Sequence, residues 1–129
     1  EGLTLERFEV LHDPEVDPHG WMLTNDEGWS MIHSGDSGPC DELWNRIGRC
    51  KFAIVEMAVP EWVPTEHHHK PSDIDNLANK FPETKIVITH TYIDSDYEIL
   101  TKEVPKFPEN VIHGEDNMRF ELDSNGSIC

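Results

Sequence analysis

Histidine and carboxylate side chains recur where short apolar runs of the sequence end. Four of them stand out: His12, Asp36, Glu56 and His90. In an α/β fold the ends of neighbouring strands meet at one rim of the sheet, where ligands bind. Imidazole and carboxylate groups bind zinc, manganese and iron, and two metals that share a carboxylate can activate water and hold a phosphoryl group. Metal-dependent chemistry at this rim is therefore one interpretation of the pattern, although histidines at strand ends are often simply solvated.

Each of these residues also has a simpler interpretation. Asp36 precedes a predicted helix, where an aspartate is a common N-cap. His12 has His19 nearby in sequence, and either ring could point toward the rim. Solvent exposure alone would account for the other candidates: Glu56, His90 and the run His67-His68-His69.

The elements that must position these residues alternate between strands and helices. Residues 8–12 alternate as a strand does, and the turn Asn25-Asp26-Glu27-Gly28 joins the strands of a hairpin, 21–24 and 29–33. A glycine-bracketed loop, 34–39, leads into a helix over 40–48. Further along, the pattern predicts a strand at 52–55, a helix opened by Pro71, a strand at 85–89, a helix within 97–107 and short strands at 111–112 and 118–121. This order predicts a mixed α/β sheet with helices on one face.

The composition describes one acidic segment of domain size. The chain has 129 residues, and its 10 basic and 26 acidic residues give a net charge of 10 − 26 = −16, which excludes a basic nucleic-acid patch within it. No apolar stretch is long enough to span a bilayer, and the N-terminus lacks a secretory pattern. Three cysteines at no metal-like spacing favour reduced thiols. We therefore expect no membrane association and a cytoplasmic location.

The order of the motifs resembles the second half of the metallo-β-lactamase fold. The motifs are Ile32-His33-Ser34-Gly35-Asp36-Ser37-Gly38-Pro39, a helix with Leu43-Trp44, a strand ending at Glu56, His68-His69-Lys70-Pro71 and Ile86-Val87-Ile88-Thr89-His90. The chain is most similar to the phosphodiesterase branch, which contains RNase Z and the class II cyclic-nucleotide phosphodiesterases. Its closing segments, 107–111 and 116–120, resemble the RNase Z ending. The resemblance implies that residues 1–129 are a single segment, the C-terminal half of a metallo-β-lactamase-like αββα sandwich.

The resemblance also implies a role for each candidate residue in a metal-dependent hydrolase of phosphodiester bonds. Asp36 would bridge two divalent metals, with His12 on the first metal and His90 on the second. Zinc is the expected metal, and manganese and iron are the alternatives. His68 would protonate the leaving group, and Glu56 would position His68. A paired carboxylate is expected to raise the pKa of the imidazole and so keep it able to act as an acid.

The sequence departs from the family pattern in three places. Ser37 stands where the family has threonine, and Lys70 replaces the threonine that follows the helix-start histidine. The larger departure is that the family's first-half motif, His-x-His-x-Asp-His, does not occur in these 129 residues. We therefore expect this fragment to be inactive alone and to need the N-terminal half of the same fold, from the parent chain or from another chain.

Three further questions stay open at this point. The phosphodiester substrate is either a cyclic nucleotide or an RNA end, and the acidic charge favours the small cyclic nucleotide. Self-association is open as well. The alternative to a phosphodiesterase is a hydrolase of another ester, a redox member of the superfamily, or a non-catalytic binding module with the metallo-β-lactamase fold.

Overall fold

A computed structural model describes residues 2–92 and 106–129 of the chain. Its strands are β1 (Leu3–Glu9), β2 (His19–Asn25), β3 (Ser30–His33), β4 (Phe52–Glu56), β5 (Lys85–Thr89) and β6 (Val111–His113). Its helices are α1 (Asp41–Ile47) and α2 (Pro71–Lys80), and a 3-10 turn covers Pro14–Val16. The described strands form one sheet in the order β1 to β6, antiparallel through β3 and parallel from β3 onward. The predicted mixed α/β sheet is confirmed.

The hairpin of β2 and β3 forms as its turn residues predict. The Asn25 N–H donates to the Trp29 carbonyl, and the Gly28 N–H donates back to the Asn25 carbonyl at 3.0 Å. Gly28 has a φ of +90°, a conformation in which a side chain would be strained. The turn therefore fixes the register that pairs Thr24 with Ser30.

The core lies between one face of the sheet and the two helices. Alternate strand residues point to this face, and the register places Ile32 beside Ala53 and Ala53 beside Ile86. The helices contribute apolar residues at helical spacing, and all of these are buried: Leu43, Ile47, Ile74, Leu77 and Ala78. Burial of such side chains stabilises by about 1.5–3 kcal/mol each. This packing fixes the strand ends that carry the candidate site.

The opposite face of the sheet is covered only in part by the described residues. Phe120, from the closing segment, packs on Phe52 with ring centroids 5.2 Å apart. At the β1 and β2 end, by contrast, Leu3, Leu5 and Trp21 are exposed, Leu5 by 60%. An apolar surface therefore remains at this end of the sheet.

Two predicted strands were wrong in position. The first strand covers Leu3–Glu9 rather than 8–12, because β1 pairs with β2 only from Leu3 to Glu9 and Leu11 then bridges to Gly38. Residues 118–121 form no strand, because the chain turns at Asn117, whose φ is +65°, and makes its bridge later, between Leu122 and Ile128. Most of the helix predicted within 97–107 lies outside the described residues.

No helix in the described parts of the chain is both long and apolar enough to cross a membrane.

Candidate metal and catalytic site

Asp36 lies in the loop between β3 and α1, and the backbone of this loop is fixed by hydrogen bonds next to Asp36. Ser37, the next residue, is fully buried; its N–H donates to Glu56 Oε1 at 3.0 Å and its carbonyl lies 2.7 Å from His69 Nδ1. The Gly38 N–H donates to the Leu11 carbonyl at 2.8 Å. Asp36 is not the N-cap of α1, because Cys40 has that position without a side-chain cap. The interpretation of Asp36 as a helix cap is therefore wrong.

Glycines let other backbone segments approach this loop. A Cβ on Gly38 would lie 1.6 Å from the Glu66 carbonyl oxygen, which no side chain can tolerate. Gly35 has a φ of +60°, and a Cβ there would meet the His19 carbonyl at 2.6 Å. The close packing at Gly38 brings the segment with His67 and His68 against the loop that carries Asp36.

Glu56, at the end of β4, is buried rather than solvated, with 1% exposure. Its Oε1 accepts from the Ser37 N–H and lies 2.6 Å from His68 Nδ1. Its Oε2 accepts from the backbone N–H groups of Ala58, at 2.8 Å, and His69, at 3.2 Å. Burial raises the pKa of Glu56 to about 7, while the backbone hydrogen bonds oppose this rise. The Glu56 carboxyl group therefore contacts both the loop that carries Asp36 and the His68 ring.

The His68 ring lies between Glu56 and the other histidines. Its centroid is 4.9 Å from that of His12 and 6.2 Å from that of His90. Burial and the neighbouring His12 lower the pKa of His68, and Asp36 raises it less. The expected rise of the His68 pKa is therefore wrong, because burial and the neighbouring His12 outweigh the attraction of Asp36. With Nδ1 on Glu56, Nε2 is the nitrogen available for chemistry.

The structure brings the predicted metal ligands near one another at the rim. His90 follows β5 with a φ of +49°, and its Nε2 lies 3.7 Å from Asp36 Oδ1. Both side chains are about half exposed. His12 is not at a strand end as predicted; it follows the bridge of Leu11 with Gly38, and its Nδ1 lies 3.1 Å from the His67 carbonyl. Nε2 of His12 is therefore the nitrogen left to bind a metal.

The donor set has the right chemistry for divalent metals but is incomplete. Two ligand atoms about 2.0–2.2 Å from one zinc ion can be up to about 4 Å apart, and the 3.7 Å between Asp36 Oδ1 and His90 Nε2 is within that limit. Within residues 2–92 and 106–129, however, no three His, Cys, Asp or Glu side chains are placed to hold a metal ion. The metal roles of His12, Asp36 and His90 stay predictions.

Sequence reasoning missed a buried histidine beside the site. His69 is fully buried, and its Nε2 accepts from the Trp44 indole N–H at 3.0 Å. Burial lowers the pKa of His69 to about 4. His69 and Trp44 both lie in the motifs that carried the resemblance, but no local pattern indicates that two residues 25 positions apart are bonded. Solvent exposure is thus the wrong interpretation for His69.

Comparisons with known proteins identify the fold. No sequence-family model matches the chain, and no curated protein matches it in sequence. Among solved structures it is similar to a metallo-beta-lactamase fold protein from Bacillus subtilis, with a TM-score of 0.59 and 14% identity over 70% of this chain and 37% of that one. A possible metal-dependent hydrolase from Veillonella parvula gives a TM-score of 0.68 and 16% identity over 91% of this chain and 53% of that one. The short form of human tRNase Z gives a TM-score of 0.65 and 16% identity over 92% of this chain and 42% of that one.

These similarities define the class of fold. The chain has the α/β fold of metallo-β-lactamase proteins, as its motifs indicated. It spans only 37% to 53% of the length of these three structures, so it corresponds to part of their fold.

Proposed function

We propose that this chain carries the C-terminal part of the active site of a metal-dependent phosphodiester hydrolase. The observation that supports this most strongly is the buried Glu56, 2.6 Å from His68, beside the rim where Asp36 and His90 are 3.7 Å apart. A carboxyl–imidazole pair next to a carboxylate–imidazole donor set combines an acid with a cation site. A metal-dependent phosphodiester hydrolase can use both, the cations for attack of water and the acid for the leaving oxygen.

Each residue has a separate task in this mechanism. Asp36, His90 and His12 would hold two divalent cations, zinc by preference, which supply the Lewis acidity for attack of water on phosphorus. The Glu56–His68 pair acts as an acid when it holds two protons, one between Oε1 and Nδ1 and one on Nε2. Transfer of the Nε2 proton to the leaving oxygen leaves one shared proton in the pair, and solvent restores the second.

The charge of the chain bears on the substrate. A net charge of −16 repels an RNA backbone unless another part of the protein supplies basic residues. A small cyclic nucleotide needs no such surface. We therefore favour a cyclic nucleotide, with an RNA end as the alternative, even though human tRNase Z shares the fold.

The exposed end of the sheet suits the missing half of the fold. Leu3, Leu5 and Trp21 are exposed on the face opposite the helices, and Phe120 packs on Phe52 of β4 on that same face. Exposed apolar patches of this kind are typical of interaction surfaces. The proposed occupant is the N-terminal half, which would also bring the remaining metal ligands.

The test separates the acid from the metal ligands in the protein that contains both halves. His90→Ala should lower metal occupancy, whereas His68→Ala should keep the metals and slow hydrolysis by roughly 10²–10⁴-fold. The slowing should be smaller for a nitrophenolate leaving group, which needs little protonation. The exposed His113→Ala is the matched control and should change neither property.

Two results would contradict the proposal. One is full loss of metal from His68→Ala. The other is an equal loss of rate on good and poor leaving groups, which would mean that His68 does not serve the leaving oxygen.

A further inference from the structure

Both backbone polar atoms of Ser37 are bound by buried side chains. The N–H donates to Glu56 Oε1 at 3.0 Å, and the carbonyl accepts a hydrogen bond from His69 Nδ1 at 2.7 Å. Ser37 directly follows Asp36, whose own side chain is about half exposed. The position of the Asp36 carboxylate therefore depends on the backbone that carries it rather than on packing of its side chain.

The tautomer of His69 is fixed by its second partner. The Trp44 indole can only donate, so the His69 Nε2 that accepts from it at 3.0 Å carries no proton. The ring proton is then on Nδ1, where it donates to the Ser37 carbonyl. The planes of the two rings are nearly parallel, 13° apart, with centroids separated by 6.2 Å. Trp44 lies on α1, and His69 lies two residues before α2, so this chain of hydrogen bonds joins α1 and the start of α2 to the loop.

We propose that His69 is a positioning residue for Asp36: held in its Nδ1–H tautomer by Trp44, it fixes the Ser37 carbonyl and so the loop that presents the carboxylate. The inference rests on the proposed function for the role of Asp36 as a metal ligand. Groups that orient metal ligands in this way typically change metal affinity by 10–100-fold when removed.

The experiment uses Co²⁺ binding and amide hydrogen exchange of the protein that contains both halves, since this chain alone holds only part of the proposed ligand set. His69→Phe keeps a ring but removes both hydrogen bonds, whereas His69→Gln keeps one donor and one acceptor. Asn110→Ala is the matched control, because Asn110 is also buried and donates to three carbonyls, but those of Ala78, Phe81 and Thr84, away from the loop.

We expect His69→Phe to weaken Co²⁺ binding by about 10-fold or more. Exchange of the Ser37 and Gly38 amides should accelerate more than exchange of the core strands. His69→Gln should restore both properties to within about 3-fold of the unsubstituted chain, and Asn110→Ala should leave both near the unsubstituted values. If His69→Phe does not fold, Trp44→Phe decides: the His69 ring then loses one of its two hydrogen bonds, so the Ser37 and Gly38 amides should exchange faster and Co²⁺ binding should weaken.

Two results would overturn the proposal. One is that His69→Phe affects Co²⁺ binding and loop exchange no more than Asn110→Ala does, while Asp36→Ala abolishes binding. The other is unchanged exchange of the loop amides and unchanged Co²⁺ affinity in Trp44→Phe. If the unsubstituted chain and Asp36→Ala bind Co²⁺ equally, the metal site itself fails, and exchange of the loop amides alone then decides whether His69 holds the loop.

Discussion

The buried His69 ring should make the stability of the chain depend on pH in a way that one substitution isolates. Its Nδ1–H donates to Ser37 and its Nε2 accepts from Trp44, so a second ring proton would face the indole N–H. Burial lowers the pKa of His69 from 6.5 to about 4. The folded chain therefore strongly favours the neutral ring.

The sign and size of the effect follow from this pKa. Between pH 4 and 6.5 the unfolded chain binds more protons than the folded chain at this site, so the free energy of unfolding rises with pH across this window. The contribution of His69 is present above pH 6.5 and is lost as the pH falls toward 4. The difference, 6.5 − 4 = 2.5, corresponds to about 3 kcal/mol at about 1.36 kcal/mol per pH unit.

Urea unfolding of the chain and of His69→Gln from pH 7 to pH 4 measures this contribution. Glutamine does not titrate, so the stability advantage of the unsubstituted chain over His69→Gln should fall by about 3 kcal/mol across that range. His113→Gln, at an exposed histidine, is the matched control, and its free energy of unfolding should depend on pH as that of the unsubstituted chain does. The reasoning would be refuted if the free energies of unfolding of the chain and of His69→Gln changed with pH in parallel.

Two other substitutions test the buried carboxyl group and the exposed face. Glu56→Gln should lower the free energy of unfolding by about 1–3 kcal/mol, because in either orientation its amide NH₂ faces at least one buried backbone N–H that loses its acceptor. In urea unfolding, the exposed Glu83→Gln should differ from the unsubstituted chain by under about 0.5 kcal/mol, and an equally stable Glu56→Gln would contradict the hydrogen-bond assignment. Leu5→Lys should weaken co-purification with the N-terminal half at least about 10-fold, since it places a charge in an apolar interface. Val16→Lys, at an exposed site outside the sheet, should not weaken it, and equal retention of both variants would exclude the proposed face.

The elements with strong local patterns could be predicted from the sequence. β4 and β5 are short apolar runs, α2 begins at its proline with apolar residues at helical spacing, and the hairpin has a turn glycine. β1 could not be placed, because Phe8 is its one buried residue and the alternation seen at 8–12 runs past Glu9, where the chain leaves the sheet. A local pattern reports burial, and most of β1 is exposed.

The candidate site was predictable as a set of strand-end residues but not as a network. The convergence of Asp36 with His90 follows from parallel strands that end on one rim. Glu56 and Ser37, which are hydrogen-bonded, are 19 positions apart in the sequence, and His69 and Ser37 are 32 positions apart. Tertiary packing of α1 and α2 brings them together. Such contacts leave no periodic signal in the sequence.

Asp36 provides the most direct test of the central claim, a metal-dependent phosphodiesterase site. The measurement is hydrolysis of a chromogenic phosphodiester by the protein containing both halves, with and without Asp36→Ala, at saturating Zn²⁺ or Mn²⁺. Because Asp36 lies on a rim loop and does not cap α1, the variant should keep its fold and lose metal-dependent hydrolysis. A folded Asp36→Ala variant that hydrolyses the substrate as fast as the unsubstituted protein would contradict the account.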